Sequence, residues 1–226
     1  MPGPVRRILI LGGTAEAAAL AIRLVAEGEA EIITALAGRT AHPADLPGRV
    51  RMGGFGGVEG LTAYLIREGI EAVYDATHPF ARNISRNAAI ACQNAGIPLT
   101  VLTRPAWRAV EDDQWQSVAD EAEAAAALPH KARVFLALGR QHIAPFAARN
   151  DCFFLIRMVD PPAHALPFAD HALIIGKATA DTEAECQLLA DHAITHIVCR
   201  NSGGSAGYGK ISAARHLGLP VIMIDR

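Results

Sequence analysis

The sequence predicts an α/β fold of two related halves, each with a mainly parallel sheet, and a ligand cleft between them. Three observations lead there. Short apolar runs of strand length alternate with amphipathic helical stretches along the whole chain, the pattern of stacked βαβ units. Several strands end in loops rich in glycine, hydroxyl and basic residues, at the edge where open α/β sheets hold ligands. The rhythm breaks once, over residues 104–116, and then restarts, so the expected domains are residues 1–110 and 111–226.

The first strand, residues 8–11, is wholly apolar and stops at Gly12 and Gly13, before a run of helix formers from Ala15 to Glu27 that Gly28 closes. Free N–H groups and the positive end of the helix dipole make such a turn an anion site, most often for phosphate. The doublet does not complete G-x-G-x-x-G, so a plain strand-to-helix connection competes with nucleotide binding. Its place in the first βαβ unit favours the nucleotide. The second strand, residues 31–35, leads into Gly38-Arg39-Thr40. Dinucleotide folds that prefer NAD carry an Asp or Glu at this junction, whereas an Arg accommodates the 2′-phosphate of NADP. No acidic residue stands between Ile32 and Ala44. If the first turn holds a dinucleotide, the sequence therefore favours NADPH, with Arg39 on the phosphate; alone, Arg39 would be an ordinary solvated residue.

The remaining elements follow in order. A short strand at 50–52 opens into Gly53-Gly54-Phe55-Gly56-Gly57, and a helix spans 60–68. A strand at 72–74 ends at Asp75-Ala76-Thr77-His78-Pro79-Phe80, followed by a helix at 81–95 and a strand at 98–102. Beyond the crossover come a helix at 119–128, a strand at 134–138 ending in Gly139-Arg140-Gln141, and a short helix at 143–149. Strands at 152–156 and 172–175 precede a helix that Asp181 caps. A strand at 196–199 runs into Arg200-Asn201-Ser202-Gly203-Gly204-Ser205, then a helix at 210–217 and a last strand at 220–224, whose sheet is left open.

Composition narrows the function. With 51% hydrophobic and 19% charged residues the chain is globular. A net charge of −2 argues against a nucleic-acid partner held by a general basic field. No apolar run approaches the roughly 20 residues of a membrane helix. Four scattered cysteines without a C-x-x-C pair, and no secretory signal, suggest a cytoplasmic protein with reduced thiols. Nine histidines form no H-E-x-x-H, so no metal site is expected. A P-loop is missing. What remains is the set of glycine-and-cation loops in both halves, suited to a nucleotide on one side and a second anionic ligand on the other. For Arg140 and Arg200 singly, solvation weighs as much as binding.

Taken together, the blocks Ile8 to Glu16, Leu36-Ala37-Gly38-Arg39-Thr40, Gly53 to Gly57, Asp75 to Phe80, Arg104-Pro105-Ala106-Trp107 and Arg200 to Gly204 resemble the precorrin-6A reductase family of the corrin ring pathway to cobalamin. The resemblance implies NADPH-dependent reduction of one double bond of a polycarboxylate tetrapyrrole, precorrin-6A, to precorrin-6B, by two Rossmann-like domains with the active site in the cleft between them. The resemblance also implies transient contacts with neighbouring pathway enzymes. On this reading Gly12, Gly13, Thr14 and Glu16 take the pyrophosphate end, with the Thr14 hydroxyl donating and Glu16 orienting backbone or ribose. Gly38, Arg39 and Thr40 take the 2′-phosphate, and Asp75 and Thr77 line the loop that the nicotinamide reaches. The proton comes from His78, Tyr208 or water. Arg140, Arg200, Asn201, Ser202, Gly203, Gly204 and Lys210 face the substrate. Two rivals remain. A short-chain-type reductase would want Tyr-x-x-x-Lys, which the chain lacks. An NADP-binding sensor without turnover would leave the second set of loops idle.

Overall fold

Continuous apolar strands buried on both faces build parallel sheets, and the chain forms two of them. The structure, a computed structural model, describes residues 6–38 and 45–226. Two compact units result, Met1–Arg104 and Pro105–Arg226.

In the first unit β1 (Arg6–Leu11), β2 (Ala30–Leu36), β3 (Arg49–Met52), β4 (Ala72–Asp75) and β5 (Leu99–Val101) form an all-parallel sheet in the order β3-β2-β1-β4-β5. Central β1 is apolar at consecutive positions because it is covered twice. Ile8 and Ile10 pack with Leu20 and Leu24 of α1 (Ala15–Glu27), while Leu9 and Leu11 pack with Leu61 and Leu65 of α2 (Gly57–Arg67) and Ala88 of α3 (Arg82–Ala95). The chain leaves β1 for β2 and β3 on one side and returns to β4 and β5 on the other. The carboxyl ends of β1 and β4, with Leu11 level with Asp75, thus form a topological switch point, where open sheets bind ligands.

In the second unit the order is β6-β11-β10-β7-β8-β9, again all parallel. Its strands are β6 (Trp115–Val118), β7 (Arg133–Ala137), β8 (Phe153–Met158), β9 (His171–Ile175), β10 (His196–Arg200) and β11 (Val221–Ile224). Its helices are α4 (Glu121–Ala127), α5 (Thr182–Asp191) and α6 (Gly209–Leu217). Strand order reverses between β7 and β10, giving a second switch point. The last strand stays with its own half, between β10 and β6.

Three elements differ from the sequence expectation. Residues 115 and 116, expected within an irregular crossover, belong to edge strand β6, whose strand partner among the described residues is β11, about 100 positions on in the chain. Residues 143–149 contain a five-residue 3-10 turn, Ala144–Ala148, in place of an α-helix; Pro145 removes a donor there and the stretch is short. Helix α2 starts three residues early, at Gly57, after Gly56 in the left-handed region (φ 83°). No helix among the described residues is long and apolar enough to cross a membrane.

Candidate active site

At the first switch point the two glycines do different work. The Gly12 N–H donates to Ala35 O at 2.9 Å, and a Cβ on Gly12 would press on Thr34 Cγ2 at 3.1 Å. Gly12 therefore serves the packing of β1 on β2. Gly13 has φ 103°, and a Cβ there would meet nothing within 4 Å. Gly13 directly precedes Thr14, the N-cap of α1, whose first-turn N–H groups have no partners within the helix. This cradle fits a pyrophosphate held by backbone amides.

Thr14 caps α1: its hydroxyl oxygen accepts from Ala17 N (3.1 Å) and its proton goes to Ala76 O (2.7 Å). Where the sequence suggested a hydroxyl donating to phosphate, the donor instead ties the β1 turn to the β4 turn. Asp75 is buried, and its Oδ1 accepts from both Thr77 N (3.0 Å) and Thr77 Oγ1 (2.7 Å), fixing the next loop. His78 follows; its Nδ1 accepts from Phe80 N at 3.3 Å, which leaves the ring proton on Nε2.

Glu16 is held by a residue the sequence reading left without a role. Arg104 Nη1 donates to both of its carboxylate oxygens, at 2.7 and 2.8 Å. Burial pushes the Glu16 carboxyl up, but the Arg104 hydrogen bond, the Glu16 N–H and the Arg104 charge outweigh it, so its pKa lies below the usual value. A carboxylate in the first turn of a phosphate-binding helix would repel its ligand; paired with Arg104 it does so less. The signal available was Arg104 itself, at the end of the first unit. Gly38, with φ 71°, stands against the start of the Gly53 loop. Arg51 stiffens that loop, donating to Gly53 O and Gly54 O (2.8 Å for the latter) and stacking on Phe55. Arg39 and Thr40 lie outside the described residues.

The second switch point gathers Arg140 and Arg200 from the ends of β7 and β10. Arg140 is exposed. Arg200 Nη1 bonds His142 Nε2 at 2.9 Å, and His142 Nδ1 bonds Glu121 Oε1 at 2.8 Å.

Asn201 to Gly204 hold their own architecture. The Asn201 amide accepts from Trp107 N (2.8 Å) and donates to Trp107 O (3.1 Å). Trp107 Nε1 donates to Gly204 O at 2.7 Å. Gly203 has φ 68°, and a Cβ there would overlap Pro105 O. The Ser202 hydroxyl donates to Arg200 O at 3.3 Å. Lys210, expected as a surface cation for a substrate carboxylate, is 6% exposed; its Nζ donates to Gly207 O (2.6 Å) and lies 4.9 Å from the Trp107 ring centroid. Burial, against the opposing pull of Cys199 and Glu185, holds its pKa below the ordinary lysine value. It supports the loop from beneath. Tyr208 is half-buried; its hydroxyl accepts from Arg215 Nη2 at 2.9 Å, and Arg215 pairs with Asp113.

A family model described as Precorrin-6x reductase CbiJ/CobK matches residues 7–226. A precorrin-6A reductase of Rhodobacter capsulatus is 47% identical over 221 residues, 97% of this chain and 88% of the relative. One from a Sinorhizobium species is 46% identical over 221 residues, 97% and 85% of the two chains. A solved structure titled CobK precorrin-6A reductase superposes with a TM-score of 0.95 at 46% identity, covering 98% of this chain and 88% of that one. With both switch points and these matches spanning nearly its whole length, the chain belongs to the precorrin-6x reductase CbiJ/CobK family.

Proposed function

We propose that this chain reduces precorrin-6A with NADPH, adding a hydride and a proton across one double bond of the macrocycle to give precorrin-6B. The observation that carries the cofactor half is the open cradle at Gly13, directly before the α1 N-cap and beside the β4 turn. The relatives named precorrin-6A reductase, at 47% and 46% identity, carry the substrate half. No observation favours a sensor without turnover.

Gly13, Thr14 and the first turn of α1 would hold the pyrophosphate through backbone N–H groups. Gly12 keeps β1 and β2 in contact beneath them, and Thr14 locks that turn to Ala76. Glu16 is neutralised in place by Arg104. Gly38, Arg39 and Thr40 would take the 2′-phosphate, a role for which Arg suits a phosphate better than Lys. Asp75 and Thr77 form the rigid floor at the nicotinamide end. NADPH supplies the hydride when bound; the protein contributes position and charge. His78 is the proton donor in this account: the imidazolium gives the proton, and the neutral ring left behind accepts from Phe80 N through Nδ1. Tyr208 serves the fold through Arg215 and Asp113. Arg140 and Arg200 receive substrate carboxylates, and Asn201, Gly203 and Gly204 shape the loop that carries Ser202.

The test is incubation with NADPH and precorrin-6A while the absorbance of both is followed. Loss of NADPH in step with precorrin-6A supports the reading; no NADPH oxidation with authentic substrate overturns it.

A further inference from the structure

We propose that Glu121 and His142 are positioning residues that set the Arg200 guanidinium for a carboxylate of the substrate. The inference rests on the substrate assigned above. Arg200 closes β10 beside the end of β7, at the point where the order of the second sheet reverses, which is where a ligand belongs. Its neighbour Arg140 is exposed, so that a carboxylate it met would have to freeze a long side chain. Arg200 is arranged otherwise.

Arg200 Nη1 donates to His142 Nε2 at 2.9 Å, and His142 Nδ1 stands 2.8 Å from Glu121 Oε1. One proton arrangement satisfies both contacts. The imidazole is neutral, its proton is on Nδ1 and is given to Glu121, and the Nε2 lone pair accepts from Arg200. Glu121 thereby fixes the tautomer that lets His142 accept. Both supports are anchored. Glu121 opens α4, which the Asp120 side chain caps by accepting from Ala122 N and Glu123 N, each at 2.9 Å. His142 ends the 3-10 turn Arg140–His142, with its N–H on Gly139 O at 2.8 Å. The Nη1 contact to His142 holds the guanidinium from the side and constrains the plane of the fork. Carboxylate recognition by Arg depends on that plane, and a fork already oriented loses less freedom on binding.

The test compares equilibrium binding of precorrin-6A, read by tryptophan fluorescence of the full chain, with steady-state kinetics in NADPH. His142→Leu raises the Kd and the KM for precorrin-6A about tenfold, and leaves kcat at saturation and the KM for NADPH within about twofold. His142→Gln, whose amide can accept from Arg200 and donate to Glu121, recovers to within about threefold of wild type. Glu121→Ala falls between the two. An unchanged Kd in His142→Leu, or a loss confined to kcat, overturns the proposal; should that variant not fold, Glu121→Ala decides by the same criterion. Wild-type protein that binds precorrin-6A without oxidising NADPH removes the reductase reading and leaves the Kd comparison to decide this one. No binding at all overturns both.

Discussion

Replacing Gly203 by Ala perturbs the point where the Arg200–Ser205 loop meets the start of the second unit. Gly203 has φ 68°, and a side chain in the left-handed region costs about 1–2 kcal/mol. The new Cβ would also overlap Pro105 O, lie 2.6 Å from Arg226 Nη2 and 3.1 Å from the Pro105 carbonyl carbon. Ordinary carbon contacts are about 3.5–4.0 Å, so the Pro105 backbone must move by roughly half an ångström or more. That segment carries Trp107, whose backbone holds the Asn201 amide through two hydrogen bonds. Each contributes about 0.5–1.5 kcal/mol. If strain and half of that bonding are lost, the variant is destabilised by about 2–3 kcal/mol, or about 4–12 °C in Tm for a chain of this size. The assay is thermal unfolding followed by tryptophan fluorescence, since both tryptophans, Trp107 and Trp115, lie in the second unit. Gly176→Ala is the control: a Cβ there meets nothing within 4 Å, and its Tm stays within about 2 °C of wild type. A Gly203→Ala transition as close to wild type as the control's refutes the reasoning.

Three further predictions concern the first unit. Arg39→Ala raises the KM for NADPH about tenfold or more while changing that for NADH little; equal effects on both cofactors remove its role on the 2′-phosphate. His78→Ala lowers kcat by about a hundredfold and alters the pH dependence of kcat; an unchanged kcat and profile leave water as the donor. The Glu16–Arg104 pair makes stability depend on acid. The folded-state pKa of Glu16 is lowered, so its contribution is present above the unfolded carboxylate pKa and lost as pH falls through the folded value. The Tm advantage of wild type over Arg104→Ala, clear at neutral pH, therefore shrinks as pH drops below about 4. A gap that does not change with pH assigns Arg104 a role other than this ion pair.

The strand and helix order was legible because both sheets are parallel and buried on both faces. Such strands as Ile8–Leu11 read as unbroken apolar runs, and their glycine stops mark the ligand edge. The first switch point could be located for the same reason: Gly12-Gly13-Thr14 and Asp75-Ala76-Thr77 both end strands. What each side chain does there was less legible. Whether the Thr14 hydroxyl faces a ligand or Ala76 O, and whether Lys210 is a surface cation or a buried support, depends on partners 62 residues away in one case and on a neighbouring aromatic ring in the other. Edge strand β6 escaped because four residues carry little periodic signal, and its pairing partner lies about 100 positions on. Asn201, expected to face the substrate, is 7% exposed and bonded to Trp107; only the fold brings that backbone within reach.

The central claim is transfer of a hydride from NADPH to the macrocycle, and isotope labelling tests it most directly. The chain is incubated with precorrin-6A and NADPH deuterated at the transferable position of the nicotinamide, and the product is examined by mass spectrometry. Retention of one deuterium in a product otherwise two hydrogens heavier than the substrate is the expected result. A reduced product without deuterium, when the cofactor was labelled on either face, or a substrate returned unchanged, contradicts the account.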